Sequence, residues 1–352
     1  MKICILEGDI SRGGGTERMA ALLANALCID HEVWLISLNL RDGSVFFELN
    51  TAVRHMVLSP AKGKLGMLSQ ISELQRLLKA NHIDRVINVD TGIGIYGILA
   101  ARSTGAKVIT WEHANYFNNW NSRLFPHLRR FAARHSDAVV VLTEQDKQNY
   151  GTHITRCAPV YVIPNPVDTR SFTYNTDSRI ILSAGLLSPI KRYDRVVELA
   201  ARLLPSRPEW QWIICGDGPE RKSLEQAIDS AGLTGRVLLP GTVRNMDAQY
   251  HSAALFVLTS DMEGLPMVLL EAKSHGLPLV SFDIETGPRD IIANGINGDL
   301  VQPYDLNEME QKIAALMDSE NLRRQYSEHS SIGLEKFSWD GVLCVWQEVL
   351  SQ

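Results

Sequence analysis

Cysteine is scarce in this 352-residue chain: Cys4, Cys28, Cys157, Cys215 and Cys344 are scattered, odd in number and without a C-x-x-C pair. That argues against a disulfide framework and against a structural zinc site. No segment approaches the roughly 18 consecutive apolar residues of a membrane-spanning helix, and the opening MKICILEGDI has no cleavable signal pattern. A soluble chain of a reducing cytoplasm, at most peripheral to a membrane, is expected. Excess positive charge is lacking too: the net charge of −5 argues against a nucleic-acid binder. The halves differ, however. Residues 1–168 carry 18 Lys and Arg against 15 Asp and Glu, +3, and the remainder 17 against 25, −8. The first half is the one expected to face an anionic surface.

The length exceeds one ordinary core, so two domains of about 170 residues are expected. KICILE reads as a buried strand, followed by the loop GDISRGGGTER and an apolar-periodic helix through Ala26. Strand-like runs then alternate with helical stretches: EVWLISL, a helix around Gln70 to Ala80, DRVINV, a helix around Ile95 to Ser103, KVITWEH and DAVVVLT. β-branched runs alternating with helices imply a parallel sheet covered on both faces. The Pro-rich APVYVIPNPVDTRSF closes this series, and RIILSAG, QWIICGDG, RVLLPG, ALFVLTS and PLVSFD begin a second one. The expected division is residues 1–168, residues 169–336 and a C-terminal helix over 337–352. Two doubly wound, Rossmann-like α/β domains facing across a cleft are predicted, with ligands beyond the carboxyl ends of the strands. No G-x-G-x-x-G is expected to follow a strand, which disfavours a dehydrogenase.

The stretch SDMEGLPMVLLEAKSHG, Ser260 to Gly276, organises the second series. It reads as strand, tight loop and helix, with Pro266 in the first helical turn and Gly276 just past the end. Glu263 then lies in the loop and Glu271 about one and a half turns inside the helix. The backbone N–H groups of Gly264, Leu265 and Met267 cluster at the helix start, where anions bind. Two carboxylates flanking a phosphate-ready N–H cluster suit a nucleotide sugar; the alternative is that Glu263 complements a helix end and Glu271 is solvated. In the first half, Asn119 to His135 places Leu124, Leu128 and Phe131 at helical spacing among Arg123, Arg129, Arg130 and Arg134. That stretch suits either contact with an anionic membrane surface or a helix packed on its sheet with a solvated arginine face.

Several motifs in register extend this reading: Gly13 to Gly15, His113, IPNPVD at 163–168, AGLLSPIKRYD at 184–194, GDGP at 216–219, EGLPMVLLE at 263–271 and FSW at 337–339. Together they resemble the retaining GT-B glycosyltransferases of family 4, of the kind that builds bacterial surface polysaccharides such as lipopolysaccharide and capsule. The resemblance implies that Glu271 accepts hydrogen bonds from the ribose hydroxyls and Glu263 from the donor sugar, each carboxylate suiting a diol. Lys191 would hold the diphosphate, helped by the N–H groups of Gly264, Leu265 and Met267, with Pro266 part of the same donor-binding turn. Gly14, Gly15, Gly185, Gly216 and Asp217 would line the donor, and His113 would lie near the reacting carbon. Where the family usually has arginine beside the phosphate lysine, this chain has Leu186; Arg192 or Arg289 would have to compensate. Asp-x-Asp is absent, so neither metal nor cofactor is expected, cations and a helix N-terminus stabilising the leaving group instead.

The function implied is transfer of a hexose or N-acetylhexosamine from a nucleotide sugar to a glycan or lipid-linked glycan. TGPRDII, 286–292, inclines the donor toward uridine. The C-terminal helix would return to the first domain. Two other classes share the architecture: a nucleotide-sugar 2-epimerase and a non-catalytic nucleotide-sugar-binding partner subunit.

Overall fold

The computed structural model describes residues 1–60, 62–169 and 172–352; Arg170 and Ser171, within the Pro-rich segment, lie outside the described residues. The chain forms two compact units, one of Met1–Pro164 with Cys344–Gln352 and one of Asn165–Leu343.

The first unit runs β1 (Lys2–Asp9), α1 (Gly15–Leu27), β2 (Glu32–Asn39), β3 (Arg54–Val57), α2 (Gly63–Ala80), β4 (Arg85–Val89), α3 (Gly94–Ala101), β5 (Lys107–Trp111), α4 (Phe125–His135), β6 (Ala138–Val141), α5 (Glu144–His153) and β7 (Val160–Val162). Its sheet is parallel in the order β3-β2-β1-β4-β5-β6-β7. The order reverses between β1 and β4, where Ile3 lies beside both Val33 and Arg85. Ile3 to Leu6 are fully buried because helices cover both faces, which is why the run reads as continuously apolar rather than alternating. The edge strand β3, RHMV, is half polar and only partly covered, and shows no strand signature in the sequence. The helix placed around Gln70 begins earlier, at Gly63, its first turns carrying exposed Leu65 and Leu68. The end of the chain packs here. Trp346 meets Trp111 edge-on at 5.1 Å, and Arg85 Nε donates to the Leu350 carbonyl at 2.9 Å.

The second unit runs β8 (Ile180–Ala184), a 3-10 turn (Pro189–Lys191), α6 (Tyr193–Leu203), β9 (Gln211–Cys215), α7 (Arg221–Ser230), β10 (Val237–Gly241), α8 (Met246–Ser252), β11 (Leu255–Leu258), α9 (Met267–Ser274), β12 (Leu279–Phe282), α10 (Pro288–Ile291), β13 (Gly298–Val301), α11 (Leu306–Asp318), α12 (Glu320–Glu328) and the start of α13 (Trp339–Ser351). Its parallel sheet has the order β10-β9-β8-β11-β12-β13. The switch falls between β8 and β11, the two strands that lead into the Lys191 and Glu263 loops.

Candidate active site

In the second unit, three loops meet at the carboxyl ends of β8, β9 and β11. Gly185 has φ +146° and Gly216 φ +141°, and a Cβ on Gly216 would strike the Gly185 carbonyl. The sequence puts Gly216 and Asp217 against a ligand; the structure has Gly216 packing one loop on the other, with Leu187 N–H donating to the Asp217 carbonyl at 2.9 Å. The 3-10 turn then delivers Lys191. Arg192 follows at φ +52°, a left-handed residue that lets α6 start at once.

Thr259 Oγ1 donates to the carbonyls of Lys191 and Arg192 at 3.0 and 3.1 Å, and Asp261 N–H to that of Ile190 at 2.9 Å. This clip sets the lysine against the loop after β11. Lys191 Nζ lies 2.6 Å from Glu263 Oε1, and Ser260 Oγ donates to the same oxygen at 2.6 Å. Thr286, fully buried, donates to the Glu263 carbonyl. Gly287, φ +99°, packs beneath Gly264 and Pro266, where a Cβ would come within 2.9 Å of the Gly264 carbonyl. The segment TGPRDII therefore props up the glutamate loop.

Pro266 caps α9 as its N-cap, with ψ 100°, and is not in the first helical turn as expected. Gly287 packs so closely against Pro266 that the chain enters the helix extended. Gly276, φ +77°, ends the helix as expected. The N–H groups of Gly264, Leu265 and Met267 have no acceptor among the described residues. Glu271, more than one turn on, accepts from Tyr250 Oη at 2.8 Å, so it is an oriented group rather than a freely solvated one. Leu186 is 61% exposed. Neither suggested substitute cation is free: Arg192 is held by Asp194 at 2.8 Å and Asp261 at 3.1 Å, and Arg289 bidentately by Asp283 at 2.9 Å.

Tyr193, Thr259, Ser260 and Thr286 lie inside the quoted stretches without a role read for them, and Tyr250 lies outside those stretches. Tyr193 is 5% exposed, and its hydroxyl has no hydrogen-bond partner among the described residues; it lies 2.9 Å from where a Gly185 Cβ would stand. Of these, Ser260 alone stands on the same strand-loop-helix stretch as the two glutamates.

In the first unit, the space beside Gly14 is taken by the Glu17 carboxylate and that beside Gly13 by the Phe46 ring, 2.9 Å from where a Gly13 Cβ would stand; Gly15 is open. His113 follows β5, half-buried, its ring 4.2 Å from that of Trp111. Its Nε2 is buried without a partner among the described residues, and burial lowers its pKa to about 3, keeping the imidazole neutral. Only three of the four arginines of the basic stretch face solvent. Arg129 points inward, 2% exposed, with Nε 3.4 Å from Glu112 Oε2 and Nη2 donating to the Asn118 carbonyl at 2.7 Å. Arg123, Arg130 and Arg134 are exposed, and the helix begins only at Phe125.

A G-x-G-x-x-G does follow a strand, contrary to expectation. Gly92, between β4 and α3, and Gly94 and Gly97, inside α3, form this pattern. Each serves packing: a Cβ on Gly97 would strike Asn88, one on Gly94 would meet Ala132 at 3.0 Å, and one on Gly92 would meet Phe125 at 3.2 Å. Gly92 N–H is spent on Asp90 Oδ1 at 2.7 Å. Acidic Glu7, Glu17, Asp90 and Glu112 surround the turn and influence one another's charge. That is a poor seat for a pyrophosphate, so the disfavoured dehydrogenase reading stands on packing and charge rather than on a missing motif.

Burial, then the charges of Glu17 and Asp90, push the Glu7 carboxyl up to about 8. Folded Glu7 keeps its proton to about pH 8 while the unfolded chain releases it near its ordinary value of about 4.5. The folded state therefore binds more protons between these limits, and stability falls as pH rises through them. Glu7→Gln is expected to melt with wild type at acid pH and increasingly above it toward pH 8, by a few kcal/mol; parallel melting curves across that window would refute the assignment.

The family model described as Glycosyltransferase Family 4 matches residues 13–171, and that described as Glycosyl transferases group 1 matches residues 166–331. The chain belongs to glycosyltransferase family 4. An exopolysaccharide phosphotransferase of Streptomyces coelicolor is 37% identical over 220 residues, 61% of this glycosyltransferase; the chain spans only 23% of that relative. A GalNAc-alpha-(1->4)-GalNAc-alpha-(1->3)-diNAcBac-PP-undecaprenol alpha-1,4-N-acetyl-D-galactosaminyltransferase of Campylobacter jejuni is 27% identical over 367 residues, covering 100% of this chain and 99% of its own. Among solved structures, HepE of Anabaena in complex with UDP and glucose has a TM-score of 0.85 at 18% identity, covering 100% of this chain and 99% of that one. This glycosyltransferase therefore has the two-domain Rossmann-like GT-B fold. Among the described residues, no helix is long and apolar enough to cross a membrane.

Proposed function

We propose that this glycosyltransferase moves a hexose or N-acetylhexosamine from a UDP-sugar, with retention and without a metal, to a glycan or lipid-linked glycan of a bacterial surface polysaccharide. The observation that carries this reading is the Lys191–Glu263 pair at 2.6 Å beside the unpaired N–H groups at the start of α9. The names of the Campylobacter transferase and of the UDP-bound HepE support a lipid-linked acceptor and a uridine donor.

In this proposal Glu271 holds the ribose diol, with Tyr250 fixing its carboxylate. Glu263 takes a sugar hydroxyl. Lys191 shifts from Glu263 toward the diphosphate, joining the N–H groups of Gly264, Leu265 and Met267 in carrying the charge that grows there. The bond from the anomeric carbon to the phosphate oxygen breaks, the acceptor oxygen bonds to that carbon on the same face, and the acceptor's proton passes to the departing phosphate. His113, Gly14 and Gly15 are proposed to serve the same reaction from the first unit. Peripheral contact with the inner face of the cytoplasmic membrane, through the exposed arginines of α4, belongs to the same proposal.

The test is thermal stabilisation by UDP, GDP, ADP and their sugar conjugates, with and without EDTA. A uridine-selective shift that survives EDTA and is weakened about tenfold in affinity by Glu271→Ala, from lost charge-assisted hydrogen bonds, is expected. No shift with any of them would sink the donor assignment, and binding without acceptor-dependent transfer would favour a non-catalytic partner.

A further inference from the structure

Tyr193 opens α6, directly after Lys191 and Arg192. Its ring belongs to the hydrophobic core of the second unit, so it does not swing out to water. The hydroxyl at its tip is shut off from solvent and has no hydrogen-bond partner among the described residues. A buried hydroxyl left unpaired is destabilising, and this one stands inside the proposed donor machinery.

Three groups meet around it. Nearest to the point where a Gly185 Cβ would stand are Tyr193 Oη at 2.9 Å and Lys191 Cε at 3.8 Å. The lysine stem therefore shares the space over Gly185 with the hydroxyl, while its Nζ lies 2.6 Å from Glu263 Oε1. Burial, and then the charge of Glu263, raise the Tyr193 pKa, so the phenol keeps its proton and can donate. Cys215, the other neighbour whose charge would act on it, is pushed up to about 11 by burial and stays a thiol, a weak acceptor. The only strong acceptor among these neighbours is the Glu263 carboxylate.

That carboxylate changes partners if Lys191 serves the diphosphate. Thr259 holds the Lys191 carbonyl at 3.0 Å, so the lysine moves as a side chain on a fixed backbone. In leaving, it takes away one of the two donors to Glu263 Oε1, the other being Ser260 at 2.6 Å, and it clears the space over Gly185. A carboxylate only 10% exposed then needs a further donor. We propose that the Tyr193 hydroxyl is that donor, replacing Lys191 at Glu263 when the lysine turns to the diphosphate and keeping the carboxylate aimed at the donor sugar. Tyr193 is thus a positioning residue that acts through Glu263. The inference rests on the donor reading given above and deepens it.

The experiment labels the tyrosines of the full chain at Cζ, whose NMR signal follows hydrogen bonding of the hydroxyl; the Tyr193 signal is the one missing from Tyr193→Phe. UDP is added, with uridine, which has no diphosphate, as control. The signal is expected to move with UDP, to stay with uridine, and to stay with UDP in Glu263→Ala. Release of UDP from UDP-glucose and UDP-N-acetylglucosamine is then followed for Tyr193→Phe, with kcat expected about tenfold lower and KM little changed, as for one lost hydrogen bond to a charged group. The free variant is expected to melt at or above the wild-type temperature, because the hydroxyl it loses is unpaired before ligand arrives. A lower melting temperature would mean a structural role and overturn the proposal. So would a Tyr193 signal that stays still in a chain that UDP stabilises, movement that persists in Glu263→Ala, or an unchanged kcat. Failure of UDP to stabilise the wild type is a separate result, which removes the donor reading and this inference with it.

Discussion

Lys191→Met is expected to lower the release of nucleotide diphosphate from the donor by about 10²- to 10³-fold. The ammonium stands 2.6 Å from Glu263 in a site where the two side chains are only 19% and 10% exposed, so neither water nor a nearby cation replaces it. Arg192 and Arg289 are both engaged by aspartates, and Leu186 brings no charge. Loss concentrated in kcat, with KM little changed, marks a contact made chiefly in the transition state. Glu263→Gln removes the same pair from its other end, and the double variant is expected to be little worse than the lysine variant alone, because the two act as a unit. Turnover within about twofold of wild type would mean that the pair only braces the loop.

Arg129→Met is expected to destabilise the protein by about 3–5 kcal/mol, the cost of leaving one charge of a buried pair uncompensated. For a unit of this size that lowers the melting temperature by about 10 °C. Glu112 is 1% exposed and also accepts from Thr91 at 2.7 Å and Tyr150 at 3.1 Å; those hydroxyls satisfy its lone pairs but carry no positive charge. Pairing the change with Glu112→Gln is expected to restore most of the loss, since both charges then leave together. Arg130→Gln, on the solvent side of the same helix, is expected to move the melting temperature by less than about 2 °C. Equal effects at Arg129 and Arg130 would overturn the distinction between the inner and outer faces of α4.

Much of the site was legible because its chemistry is local. Glu263 and Glu271 lie on one strand-loop-helix stretch, and Gly276 ends that helix at a positive φ that glycine adopts without strain. Ser260 stands three residues from the glutamate it serves. Lys191, by contrast, reaches Glu263 across 72 residues, and Thr286 supports it from 23 residues away; a motif marks such residues without saying what they touch. Arg129 and Arg130 are neighbours in a basic stretch, and only the rotation of α4 on its sheet separates a buried counter-ion from a solvated charge. The spacing of Gly92, Gly94 and Gly97 shows the opposite problem, since a pattern associated with pyrophosphate here answers to the side chains of Asn88, Ala132 and Phe125.

The order of buried strands and helices, the glycine-ended helix after Glu271 and the family motifs followed from the sequence alone, because hydrophobic periodicity and turn chemistry act over a few residues. Tertiary structure alone decided which charges are spent on each other: Lys191 on Glu263, Arg192 on Asp194 and Asp261, Arg129 on Glu112. Ion pairing falls off steeply with distance and rises with burial, and both are set by how loops from separate strands converge.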